Sequence, residues 1–282
     1  MSATTPRFAG LRAVVTGASR GIGAGIAERL AAEGADLMLV ARTLDHHPTL
    51  TGSLTETAAR LAGYGHRVEV LAADLSDPGD RARIVPEAVE RLGGPVDILV
   101  NNAAAAIYQP LADYPLRRSR LTFEMNVHAP LELMQAVLPG MLECGRGWIV
   151  NLSSASARLF DGPPFRLVEP GTSLAVYAAS KAALNRIVNG MAAELYGTRI
   201  RVNAVQPRAA VLSEGAAALT GGTLRADQIE HLEEMVEAVT ALCAAPTELT
   251  GRICSSLDLI GELDLQVCGL DGRPWTRPEV SA

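Results

Sequence analysis

Short apolar blocks and longer amphipathic stretches alternate along this chain from about residue 12 to residue 259. The first block, Arg-Ala-Val-Val-Thr at 12–16, reads as a buried strand. It runs into a glycine-rich turn over 16–23, and an alanine-rich amphipathic segment at 24–33 predicts a helix. The same pattern predicts strands at 35–41, 67–72, 96–100, 148–152, 200–205 and 251–259. Helices are expected up to about 63–65, from near Pro78, and over 121–142, 173–195 and 226–245. Pro130 and Pro139 should bend or bound the helix over 121–142. Alternating strands and helices without a linker predict one α/β domain over 1–282: a doubly wound, mainly parallel sheet of about seven strands with helices on both faces. Residues 1–9 are expected to be flexible, 158–170 an irregular loop, 208–225 a mobile lid and 261–282 a turn-rich tail.

Composition narrows the class. The 282 residues are 48% hydrophobic but only 4% aromatic, which favours close helix–sheet packing over an aromatic-rich sandwich. A formal charge of −6 and the lack of a long basic run argue against nucleic acid as the main partner. Cys144, Cys243, Cys254 and Cys268 form no C-x-x-C pair, so neither zinc nor a disulfide framework is expected, and free thiols fit a reducing cytosol. Residues 1–9 carry no apolar signal-peptide core, and no stretch approaches the roughly 18 apolar residues of a membrane span. A cytoplasmic protein is expected. His46 and His47 are neighbours in a polar loop and read as solvated, not as metal ligands.

Candidate chemistry lies at the carboxyl ends of the expected strands, where ligands bind in open parallel sheets. In the turn Thr16-Gly17-Ala18-Ser19-Arg20-Gly21-Ile22-Gly23, glycines let a phosphate approach backbone N–H groups at a helix start. A plain tight turn would need glycines too. Arg42 ends the second strand, where its planar fork suits a 2′-phosphate and an acidic residue would suit free ribose hydroxyls. With Arg20 adding charge nearby, NADP is favoured over NAD, the alternative being a solvated strand-end charge. Asp74 either accepts from an adenine amino group or, like Asp77, caps the helix that begins near Pro78. Asn101 and Asn102 can fix the turn and bond a cofactor, with Ala103 and Ala104 leaving room for it. Tyr177 and Lys181, four apart on one helix face, can address the same bound molecule.

In this order, Thr16 to Gly23, Asp74-Leu75, Asn101-Asn102-Ala103, Met125-Asn126-Val127, Ser153-Ser154, Tyr-Ala-Ala-Ser-Lys at 177–181 and Arg-Val-Asn-Ala-Val-Gln-Pro at 201–207 resemble the short-chain dehydrogenase/reductase family. The resemblance implies a Rossmann-type fold, a nicotinamide cofactor and a catalytic tetrad falling here on Asn126, Ser154, Tyr177 and Lys181. It also implies a homotetramer or homodimer packed through the helices over 121–142 and 173–195. Cofactor contacts are expected at Gly17, Ser19, Arg20, Gly21, Ile22, Gly23, Arg42, Asp74, Leu75, Asn102, Ala103, Ala104, Tyr177, Lys181, Pro207 and Ser213.

Hydride transfer to a ketone leaves an alkoxide that needs a proton, and the reverse needs a base. A free phenol titrates near 10, too high for efficient exchange at neutral pH, so positive charge from Lys181 and an oxidised nicotinamide is expected to bring Tyr177 down. Ser154 would polarise the substrate oxygen, Lys181 hold the nicotinamide ribose and Asn126 position a water. Four features depart from the family pattern: Ala104 and Arg208 in place of glycines, the long 158–170 segment, and Ser256-Leu-Asp-Leu-Ile260 after the last strand. Phe160 and Phe165 are candidate pocket walls, surface packing being the alternative. The expected activity is NADP(H)-dependent reduction of a carbonyl or oxidation of a secondary alcohol on a small or medium, fairly apolar substrate. A catalytically inactive NADP(H)-binding sensor or structural subunit, and an epimerase or dehydratase, are the competing readings.

Overall fold

β1 (Arg12–Thr16) sends Ala13 and Val15 into one hydrophobic core and Val14 into another, because successive side chains of a strand point to opposite faces. β2 (Asp36–Ala41) divides likewise, Leu37 and Leu39 against Met38 and Val40. Strands buried on both faces need near-continuous apolar runs, and these blocks supply them. The computed structural model describes residues 6–163, 165, 173–208, 210–211 and 229–278. Its remaining main strands are β3 (Val68–Ala72), β4 (Ile98–Asn101), β5 (Gly147–Leu152), β6 (Ile200–Gln206) and, after two short strands β7 (Ala210–Val211) and β8 (Ile229–Glu230), β9 (Ile253–Ser255). Seven of them form one parallel sheet in the order β3-β2-β1-β4-β5-β6-β9. The order reverses between β1 and β4, which opens a crevice at their carboxyl ends.

One face is covered by α1 (Gly21–Ala32) and α2 (Leu54–Leu61), the other by α3 (Pro78–Leu92). A long helical run follows on the second face: α4 (Leu116–Phe123), a π turn at Glu124–His128 and α5 (Ala129–Cys144). α6 (Ala175–Glu194) joins it there, while α7 (Leu232–Cys243) and α8 (Ser256–Glu262) pack on the first face. The helix expected over 121–142 thus begins earlier and is not broken at its prolines. Instead, Pro130 has no N–H to offer the carbonyl of Asn126 four residues back, and the run widens just there, with the Ala129 N–H reaching the Glu124 carbonyl.

Three expectations change. Residues 229–230 form β8, paired with β7, not helix; α7 starts only at Leu232, where Glu234 accepts from the His231 N–H at 3.0 Å. The last apolar run splits after Ser255 into a three-residue strand and α8. Residues 6–9 are held in place, since Phe8 is 1% exposed, its N–H donates to the Glu33 carbonyl and Arg7 pairs with Glu33. Residues 212–225, in the expected lid, and 166–170, in the expected loop, lie outside the described residues.

Candidate active site

The glycine turn between β1 and α1 is built around two close approaches. Gly17 adopts φ +68°, and a Cβ there would sit 2.7 Å from the Asn102 amide nitrogen and 3.0 Å from the Ala103 Cα. A Cβ on Gly23 would fall on the Gly17 carbonyl and 2.5 Å from the same amide. Asn102 locks this contact by donating from Nδ2 to the Thr16 carbonyl at 2.9 Å, while Thr16 Oγ1 accepts from the N–H groups of Asn102 and Ala103. No side chain caps the N-terminus of α1, so its backbone N–H groups face the crevice with their positive end of the helix dipole. Here lies a cleft of about 330 Å³. The cradle fits the pyrophosphate of a dinucleotide: no side chain fills the space and unpaired donors line it.

Of the expected cofactor contacts, Gly17, Ser19, Arg20, Gly21, Ile22, Gly23, Arg42, Leu75, Asn102, Ala103 and Ala104 all line this cleft. Asp74 does not. Its Oδ1 accepts from the Ser76 N–H at 2.9 Å and from the Ser76 hydroxyl at 2.7 Å, while Asp77 caps α3. Arg20 lines the cleft, yet its Nε and one Nη donate to the carbonyls of Thr51 and Gly52, both at 2.7 Å. Two of its five N–H donors are therefore spent on the chain, while its positive charge stays at the cleft, as expected from the sequence. Pro207 follows β6, and the next N–H, from Arg208, donates to Glu230 Oε2 at 2.8 Å. Ser213 lies outside the described residues.

Ser154, Tyr177 and Lys181 meet beyond β5. Ser153 turns away, its hydroxyl donating to Asn185 Oδ1 at 2.6 Å and tying β5 to α6. Ser154, the half-buried neighbour, accepts from the Ser156 N–H at 3.3 Å and lies near the Tyr177 phenol. Burial pushes that phenol up to about 12, the nearby Tyr108 phenol adds to the rise, and the Ser154 hydroxyl lowers it. The expected downward shift is thus absent from the chain alone, because desolvation of the phenolate dominates. Lys181 is 3% exposed; its Nζ lies 5.9 Å from the Tyr177 ring centroid and donates to the Leu152 carbonyl at 2.6 Å. Burial pulls its ammonium down to about 8.

Asn126 is fully buried in the π turn. Its side chain receives the Ala105 N–H at 2.8 Å and donates to the Ala105 carbonyl and to Ser180 Oγ, both at 3.0 Å. Ser180 in turn donates to the Tyr177 carbonyl at 2.6 Å. Asn126 therefore ties the segment after β4 to the helix turn that carries the phenol, and sequence reasoning gave Ser180 no part in this.

Phe160 and Phe165 are 48% and 63% exposed and neither lines the cleft, which fits the surface alternative of the two readings. The aromatic ring that meets Tyr177 is Tyr108, edge-on at 5.7 Å between centroids. Only its position a few residues after Asn101-Asn102 hinted at this. His47, read as solvated with His46, is half-buried and lines the same cleft as Arg42. Among the described residues, no cluster of three potential ligands could hold a metal ion, and no helix is long and apolar enough to cross a membrane.

Comparison with known proteins agrees with this architecture. The family model described as short chain dehydrogenase matches residues 12–219. The chain is 31% identical over 261 residues to hydroxysteroid dehydrogenase-like protein 2 of Danio rerio, covering 92% of this chain and 60% of that one, so it spans about three-fifths of that relative's length. It is 36% identical over 216 residues to L-xylulose reductase of Bos taurus, with 75% and 77% covered. The structure of L-sorbose reductase from Gluconobacter frateurii complexed with NADPH and L-sorbose superposes with a TM-score of 0.74 at 28% identity, over 89% of this chain and 97% of that one.

Proposed function

Because this chain belongs to the short-chain dehydrogenase/reductase family, we propose that it is an NADP(H)-dependent oxidoreductase acting on a carbonyl or secondary alcohol of a fairly apolar substrate. The observation that carries this reading is the meeting of half-buried Ser154 and Tyr177 with buried Lys181 beyond β5, in a fold whose crevice holds a cleft shaped for a dinucleotide. A bound nicotinamide would supply or accept the hydride. The Tyr177 hydroxyl, neutral at ordinary pH, stands ready to give its proton to the nascent alkoxide. Ser154 donates to the same substrate oxygen and stabilises its growing charge. Lys181, still largely protonated at pH 7, offers an ammonium to the phenol and to the nicotinamide ribose. Asn126 serves by holding the segment at Ala105 and, through Ser180, the Tyr177 turn.

Arg42 at the open tip of β2 supports NADP over NAD, and the relative solved with NADPH is consistent with it. Sugar and steroid names among the relatives mark the range of substrates worth testing. The same reading places the protein in the cytoplasm. It also pairs copies of the chain through the 116–144 and 175–194 helices, where Leu116, Leu121 and Leu142 stand exposed.

The test is a panel of ketoses, cyclic and steroid ketones and their alcohols with both cofactors, followed at 340 nm. Tyr177→Phe should lose about two orders of magnitude or more of turnover while still binding NADPH. Unchanged turnover would overturn the mechanism, and no turnover by the wild type across the panel would favour a cofactor-binding subunit. For the cofactor, Arg42→Asp should weaken NADPH at least about tenfold more than NADH; equal weakening removes the phosphate role.

A further inference from the structure

The segment between β2 and α2 is longer than the turn needed to join them, and the structure fastens it onto the cofactor cleft. Arg20 grips its far end through the carbonyls of Thr51 and Gly52. Gly52, at φ +91°, packs so closely on the glycine turn that a Cβ would sit 2.6 Å from the Ser19 carbonyl oxygen and 2.9 Å from Arg20 Cβ. At the near end, the N–H groups of Leu54 and Thr55 donate to the carbonyls of Thr43 and Leu44, both at 3.0 Å. Clamped at both ends, the loop presents His47 and Leu50 to the cleft that Arg42 also lines.

The His47 ring is set in one tautomer by its own loop. Nδ1 accepts from the N–H groups of Thr49 at 3.2 Å and Leu50 at 3.1 Å. A ring nitrogen that accepts carries no hydrogen, so in the neutral ring the hydrogen sits on Nε2. Nε2 is bonded to no other described residue, which leaves an oriented N–H donor in the cleft that the Arg42 guanidinium also lines. Charged groups of both signs flank the ring: Arg20 and Arg42 in the cleft, Asp45 and Glu56 in a smaller adjoining cavity of about 200 Å³. Asp45 is already engaged by the Thr55 hydroxyl at 2.7 Å.

We propose that His47 is a further cofactor-specificity residue, donating from Nε2 to a 2′-phosphate on the adenosine ribose while Arg42 supplies the charge. The inference rests on the NADP reading given above and extends it, because a free ribose hydroxyl offers no anion for this donor. Hydrogen bonds to an ionised acceptor are the stronger kind, so a single donor here has a measurable effect on selectivity.

The experiment is direct binding to ligand-free protein, by calorimetry, of NADPH, NADH and 2′,5′-ADP. His47→Ala should weaken NADPH and 2′,5′-ADP about tenfold or more and leave NADH within about twofold, the NADH affinity doubling as the test of correct folding. His47→Gln, which keeps an N–H donor on the side chain, should recover part of the loss. Unchanged NADPH affinity in His47→Ala, or equal weakening of NADPH and NADH, overturns the role of His47 while a wild-type preference for NADPH keeps the NADP reading. Wild-type protein that binds NADH as tightly as NADPH overturns that reading and the role of His47 together.

Discussion

Replacing Lys181 with methionine should make the ligand-free protein more stable near neutral pH while removing its turnover. The side chain is 3% exposed and its ammonium is held by the Leu152 carbonyl at 2.6 Å, with no carboxylate paired to it among the described residues. Burial moves its pKa from 10.5 to about 8. Between those values the unfolded chain binds more protons than the folded one, so stability rises with pH through that window, and the penalty is complete below about 8. A shift of that size corresponds to about 3 kcal/mol. Methionine removes the charge and keeps the bulk but leaves the Leu152 carbonyl without its partner, which costs about 1–2 kcal/mol. Lys181→Met should therefore gain about 1–2 kcal/mol at pH 7.5. Raising the pH to 9.5 relieves the wild type by about 2 kcal/mol, so the advantage should vanish or reverse there. Urea unfolding of both proteins at the two pH values reads this difference directly. A stability difference that does not change with pH would refute the buried-cation account, whatever happens to activity.

The two serines after β5 should separate cleanly. Ser153→Ala removes the bond to Asn185 and should cost about 1–2 kcal/mol of stability with turnover largely kept, whereas Ser154→Ala should lower kcat about tenfold or more with little change in urea midpoint. Gly23→Ala drives a methyl into the Gly17 carbonyl and should abolish binding of both cofactors, measured by calorimetry; retained affinity would mean the turn can open. Tyr108→Phe takes away the second phenol beside Tyr177, so the Tyr177 titration, followed by tyrosinate absorbance against Tyr177→Phe, should move below about 12. A titration that stays in place would mean burial alone sets it.

Local rules made much of this protein readable before folding. Apolar blocks buried on both faces announced a parallel sheet, and the glycines at 17, 21 and 23 marked the strand–turn–helix, because these features depend on neighbours within a few residues. The Tyr177–Lys181 spacing placed both groups on one helix face for the same reason. Short apolar runs were less readable: 251–259 suits strand or helix equally, and only pairing of Ile253–Ser255 with β6 decided where one stopped and the other began. Side-chain direction was decided by tertiary structure alone. Arg20 closes on Thr51 and Gly52, Asp74 folds back on Ser76, Tyr108 meets Tyr177, and His47 turns into the cleft. Most of these outcomes bring together segments tens of residues apart in sequence, which no local period encodes; the Asp74 turn is short-range, but sequence left it open against an equally reasonable alternative. Sequence thus determined the scaffold and the reacting pair, and the meeting of distant loops determined the walls around them.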